Sequence, residues 1–173
     1  MNTLPLYAET QRFRARWLWA LLLSAVLLPI LLTGTFLYIQ LSTGQPVGDR
    51  PLSDTALAAT FAGALVLGLL LVTFIASAKL VIRVERTVLS VRFFPFTQQR
   101  YPLRDVVRWE VRDYRPMAEY GGWGIRWGRG GRAYTVSGHR GVQLELRGGR
   151  KVLLGSQRPD ELAAALRKAH DLG

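Results

Sequence analysis

The chain has 173 residues and a formal net charge of +11, from 23 Lys and Arg against 12 Asp and Glu. It has no cysteine and only two histidines, which excludes disulfides and thiolate metal sites and makes a zinc site hard to build. On those grounds no cofactor and no metal are expected.

Residues 1–16 are short and mixed, with Arg12, Arg14 and Arg16 ahead of an apolar run. Residues 17–39 and 55–78 carry no charge, and each is longer than the roughly 20 apolar residues that span a bilayer core. Such a segment must satisfy its own backbone polar groups, which an α-helix does. The first run is too long for the h-region of a signal peptide. Residues 40–54 hold Gly44, Pro46, Gly48 and Pro51 and read as a loop. The expected architecture is an N-terminal segment over 1–16, a transmembrane helical hairpin over 17–78, and a domain over 79–173. Arginines before the first run, and Lys79, Arg83 and Arg86 after the second, predict a multi-pass protein of the cytoplasmic membrane with both termini cytoplasmic. Ala59 with Gly63, and Thr60, Ala64 and Gly68, form small-residue stripes. These suit packing on the first helix of the same chain or, as the weaker reading, a homo-oligomer.

From Lys79 the apolar period changes to two. Leu80, Ile82 and Val84 alternate with polar residues, as do Leu89, Val91 and Phe93, and each set predicts a strand. Pro95 should end the second strand or place it at an edge. Val106, Val107, Trp109 and Val111 predict another strand. Val142, Leu144 and Leu146 turn through Gly148-Gly149 into residues 151–154, the clearest hairpin. A helix opens at Pro159-Asp160-Glu161, with an apolar stripe of Leu162, Ala165, Leu166 and Ala169. Strands closed by one amphipathic helix predict an α+β domain, a strand-rich sandwich or barrel.

Residues 120–141 read YGGWGIRWGRGGRAYTVSGHRG. No closing Gly-Lys-Ser/Thr makes this a P-loop, and Gly128, Gly130 and Ala133 lack the strand–turn–helix setting of a dinucleotide site. The RNA-recognition pattern is also absent. Trp123, Ile125 and Trp127 alternate with Gly124 and Arg126 as in a strand. Tyr134 and Val136 fit a returning strand, and residues 128–132 fit a hairpin tip. Arginine presents a planar fork to carboxylate or phosphate, and aromatics anchor interfaces. The candidate partner-binding residues are therefore Trp123, Arg126, Trp127, Arg129 and Arg132. The competing reading makes the tryptophans core and the arginines merely solvated.

Several strings carry a resemblance: Arg92–Phe93–Phe94–Pro95–Phe96, Gly121–Gly122–Trp123–Gly124–Ile125–Arg126, Val136–Ser137–Gly138 and Gly155–Ser156–Gln157–Arg158–Pro159. With the two apolar runs they resemble a family of small bacterial membrane proteins of uncharacterised role, GGWGIR being the specific part. The region after Lys79 is also similar in pattern to bacterial pleckstrin-homology-like domains that follow paired membrane helices. The resemblance implies a bacterial membrane protein with a PH-like domain and brings no activity with it.

Asp105, Glu110, Asp113 and Glu119 have no His or Cys positioned to complete a catalytic set, so no enzyme is expected. The expected function is a membrane-anchored binding or scaffold module. Its partners would be the lipid bilayer and an unidentified membrane or cytoplasmic protein. The alternative is an electrostatic sensor of anionic lipid headgroups, for which four or five basic residues gathered on one face would suffice. Nucleic acid is disfavoured because no reading motif accompanies the charge.

Overall fold

The computed structural model describes residues 4–48, 51–128 and 130–172. It divides into two compact units, residues 14–76 and the chain on either side of them.

The first unit is two helices, α1 (Arg16–Thr43) and α2 (Asp54–Ser77). Both are long and apolar enough to cross a membrane, and only 6% of each apolar window is buried. Leu28, Leu31, Leu67 and Leu69 are each more than 60% exposed, which the core helix of a water-soluble protein would not tolerate. α1 runs a turn beyond the predicted 39. There Gln40 is buried, and its side-chain amide donates to the Leu52 carbonyl at 2.9 Å and to Asp54 Oδ1 at 2.6 Å. Gly44, at φ +67°, then ends the helix, its N–H returning to the Gln40 carbonyl. The helices touch where side chains are smallest. A Cβ on Gly68 would lie 2.6 Å from Val26 Cγ1, and one on Gly34 would lie 2.9 Å from the Phe61 ring. Gly63, by contrast, faces open space. One small residue of the predicted stripes thus serves intrachain packing.

The second unit contains two sheets and a C-terminal helix, an α+β arrangement. β1 (Tyr7–Arg12), β2 (Lys79–Val84), β3 (Val88–Phe94) and β4 (Thr97–Pro102) form an antiparallel meander. A 3-10 turn over Leu103–Asp105 leads to β5 (Val106–Asp113), and the short helix α3 (Pro116–Tyr120) follows. Then come β6 (Gly124–Gly128), β7 (Gly131–Thr135), β8 (Arg140–Leu146) and β9 (Lys151–Gly155). The second sheet runs β5-β8-β9-β7-β6, with β7 parallel to β9 and the other pairs antiparallel. α4 (Pro159–Asp171) ends the unit. Leu80, Ile82 and Val84, with Leu89, Val91 and Phe93, meet Val142, Leu144, Val152 and Leu154 in one core. Leu162, Ala165, Leu166 and Ala169 of α4 complete it. Each buried aliphatic side chain contributes on the order of 1.5–3 kcal/mol.

Each sheet keeps two edges, so the barrel alternative gives way to open sheets. The larger difference is at the N-terminus. Residues 1–16 were expected to form a separate segment, yet Tyr7–Arg12 pairs along the whole of β2, Tyr7 with Val84 and Arg12 with Lys79. The helical unit is thus an insertion between two neighbouring strands. β1 shows no apolar alternation because its inward positions are Tyr7, Glu9 and Gln11. The Glu9 carboxylate, 7% exposed, accepts from the Tyr7 hydroxyl at 2.5 Å, the Ser156 hydroxyl at 2.6 Å and the Gln157 N–H at 2.8 Å. The Gln11 amide donates to the Gly155 carbonyl at 2.8 Å. β1 is therefore fastened to β9 and the β9–α4 loop, with the buried Glu9 carboxylate fully hydrogen-bonded, the condition under which polar burial is tolerated, and the Gln11 Oε1 atom left without a partner among the described residues.

Candidate functional site

β6 and β7 form the hairpin read from residues 120–141, with Trp127 opposite Arg132 and Gly128 opposite Gly131. Arg129 lies outside the described residues. The glycines permit close approach. A Cβ on Gly128 would strike the Glu119 carbonyl of α3, and one on Gly130 would strike the Tyr120 hydroxyl. Gly131, at φ +85°, passes against the Lys151 backbone of β9. The tip is thus held against the chain's own α3 and β9.

A polar network fixes it further. Arg112 of β5 donates from Nη2 to Glu119 Oε2 at 2.9 Å and to the Tyr120 hydroxyl at 3.2 Å, and from Nε to Gln143 Oε1 at 3.2 Å. The Gln143 amide donates onward to the Gly130 carbonyl at 3.1 Å. Partial burial opposes ionisation of Glu119, but the Arg115 N–H and the Arg112 guanidinium outweigh it and hold that carboxyl below its usual range. Beneath the hairpin, burial and then Tyr120 push the Tyr114 hydroxyl up to about 12.

The candidate side chains separate onto two faces. Trp127 is 70% exposed, and the Arg132 guanidinium sits 4.7 Å from its ring centroid and 5.0 Å from that of buried Tyr134. Trp127, Arg132 and Tyr134 are thus one stacked row, a cation between two π faces. Arg126 is paired with Ala133, so it points to the opposite face from Arg132. Its Nε donates to the Trp123 carbonyl at 3.2 Å. Trp123 is half-buried, and its Nε1 donates to the Gly138 carbonyl at 3.0 Å. The structure therefore brings Trp127 to Arg132 and Arg126 to Trp123, and keeps the two pairs apart. Neither tryptophan belongs to the core.

A second concavity, of about 580 Å³, was not legible in the sequence. Arg86, Val88, Leu103, Arg104, Ala169 and His170 line it. Its residues come from the β2–β3 turn, the 3-10 turn and the end of α4, which no local motif joins. The His170 ring also packs edge-on to Trp109 at 5.6 Å. Among the described residues no three His, Asp or Glu side chains gather as metal ligands. The chain matches no family model and no curated protein.

Proposed function

We propose that this chain is a membrane-anchored, non-catalytic binding module of a bacterial cytoplasmic membrane, with α1 and α2 crossing the bilayer as a hairpin. Both ends of the helical insertion attach at Arg12 and Lys79, which are register partners. Two points so close favour one side of a bilayer, which supports an even number of crossings. Flanking arginines favour the cytoplasm for that side. The reading of the domain as PH-like rests on a four-stranded meander followed by a second sheet and a closing helix.

One observation carries the binding role: Trp127 is 70% exposed on an edge strand and is stacked by Arg132 on a hairpin pinned from behind. A rigid exposed aromatic beside a cation contacts a partner at low entropic cost. The partner would be a protein presenting an apolar pocket with an acidic rim. The test is a photocrosslinking residue at Trp127 in native membranes, compared with one at Val107, which is 58% exposed on another edge strand. A discrete product at 127 that is missing at 107 is expected. Equal labelling at both positions contradicts the reading.

A further inference from the structure

We infer that the outer face of the β1–β4 sheet, together with the β3–β4 turn, docks onto the anionic lipid surface of the membrane that holds the helices. The inference rests on the membrane reading above and adds the surface that the domain presents to the bilayer.

Strand alternation sorts the sheet's residues cleanly. The inward positions hold Leu80, Ile82, Val84, Leu89, Val91 and Phe93, all buried. The outward positions hold Arg12, Lys79, Arg83, Arg92 and Arg100, and none of the outward positions on the four strands is a carboxylate. The only acid within these strands, Glu9, faces inward and is occupied by Tyr7, Ser156 and Gln157. Register gathers the cations into neighbouring rungs. Arg12, Lys79 and Phe94 form one, Thr10, Val81, Arg92 and Gln98 the next, and Ala8, Arg83, Ser90 and Arg100 the third. A face with five cations and no acid is complementary to an anionic surface, where each basic residue adds attraction.

The turn supplies the apolar part. Pro95 and Phe96 connect β3 to β4, through a cis Phe94–Pro95 peptide. Phe96 is 56% exposed although its ring lies 5.9 Å from Phe93. Lys79 and Arg92 sit over the Phe94 ring at 5.8 Å and 5.4 Å. Aromatic rings beside cations suit headgroup depth, where one side of the ring is apolar and the other wet.

On the membrane reading, connectivity keeps this end of the sheet on a short tether from α2. α2 ends at Ser77, two residues before Lys79, and two residues reach at most about 7 Å. Phe94 is the register partner of Lys79, and antiparallel partners lie about 4.5–5.5 Å apart. The far end of the same ladder, Val84 paired with Leu89, is five rungs away, and Thr87 lies beyond it in the β2–β3 turn.

Because the chain has no cysteine, single nitroxide labels report each position separately. The full chain is reconstituted in phosphatidylcholine vesicles with 30% phosphatidylglycerol, with labels at Leu67→Cys, Phe96→Cys, Gln98→Cys or Thr87→Cys. Collision with oxygen and with a water-soluble nickel chelate gives depth. The label at 67 should lie in hydrocarbon, those at 96 and 98 should be shielded from nickel, and the one at 87 should be open to it. Removing phosphatidylglycerol, or changing Arg83 and Arg92 together to Gln, should expose 98. Two basic residues correspond to roughly 25-fold in the docking equilibrium. These changes are on the solvent side of the sheet and leave the core untouched. A melting curve identical to the parent's confirms that loss of shielding is not unfolding. The Gln98→Cys label reads the same face with every charge in place. If 96 and 98 are as open to nickel as 87 while 67 stays in lipid, the docking inference fails and the tether stands. If 67 is itself in water, the membrane reading fails. Shielding unchanged by lipid charge or by the arginine pair overturns the electrostatic basis.

Discussion

Two corners of the domain combine aromatics with charge, and they are built in opposite ways. At the Glu9 corner the carboxylate is buried and takes donors from Tyr7, Ser156 and Gln157, while Arg158 lies 5.2 Å over the Tyr7 ring. At the Trp127 corner the stack of Trp127 on Arg132 opens to solvent on an edge strand. The first closes the chain on itself, since it ties residues about 150 apart in sequence. The second is held from behind and leaves its front face uncovered. Residue type does not separate a structural lock from an exposed candidate surface. Burial and completeness of hydrogen bonding do.

The largest expected effect lies beneath both corners. Leu166 is 1% exposed between α4 and the sheets, so Leu166→Asp buries an unpaired charge and should cost more than about 4 kcal/mol. A melting transition like the parent's would show that α4 is not core. Next comes the lock. Glu9→Gln leaves an amide where a carboxylate accepts three donors, and a loss of roughly 2–4 kcal/mol is expected in chemical denaturation. The related deletion is sharper. A chain begun at Lys79 should be far less stable than one in which residues 14–77 are replaced by a short Gly-Ser turn joining β1 to β2. Equal stability of the two would remove β1 from the fold.

Hairpin glycines fall between the extremes. Gly130→Ala brings a methyl onto the Tyr120 hydroxyl and within 3.2 Å of Arg112 Nη2, and should cost about 1–3 kcal/mol. Alkali probes the lock side again. Burial first, and then Glu9, raise the Tyr7 hydroxyl above the ordinary phenol range, and burial and Tyr101 do the same to Tyr134. A tyrosine raised in the folded state contributes stability that is fully present below the unfolded value of about 10 and is lost as pH climbs through the folded value. Stability should therefore decline above about pH 10, less steeply in Tyr7→Phe. A flat alkaline limb would contradict the burial assigned to these rings. Smallest of all on stability are Trp127→Ala and Arg132→Gln, expected within about 1 kcal/mol of the parent because a cation–π pair at an exposed ring is weak. Their effect should appear as lost partner crosslinking, and a large stability loss would move this corner into the structural class.

How far the sequence disclosed this molecule follows the strength of its apolar periods. The uncharged runs became α1 and α2. The alternations at Leu80–Val84, Leu89–Phe93 and Val142–Leu146 became β2, β3 and β8, and the stripe from Leu162 became α4. β1 and β4 left no such trace. Tyr-Ala-Glu-Thr-Gln-Arg points polar side chains inward, and Thr-Gln-Gln-Arg-Tyr-Pro is an edge strand with little apolar content. The hairpin was legible at residues 124–135 because its glycines and aromatics alternate. That its glycines serve contact with α3 and β9, and that Arg126 and Arg132 face apart, are tertiary facts. The basic sheet face was hidden for the same reason, since its cations come from four strands.

The central claim is that a membrane hairpin is inserted between β1 and β2, with the domain on one side of the bilayer. Side-specific cysteine labelling tests it most directly. An impermeant maleimide is applied to intact cells carrying Gln45→Cys, Ala8→Cys or Thr87→Cys in the full chain, before and after permeabilisation. The account predicts labelling at 45 in intact cells, and labelling at 8 and 87 only after permeabilisation. Labelling of 45 and 87 from the same side would contradict it.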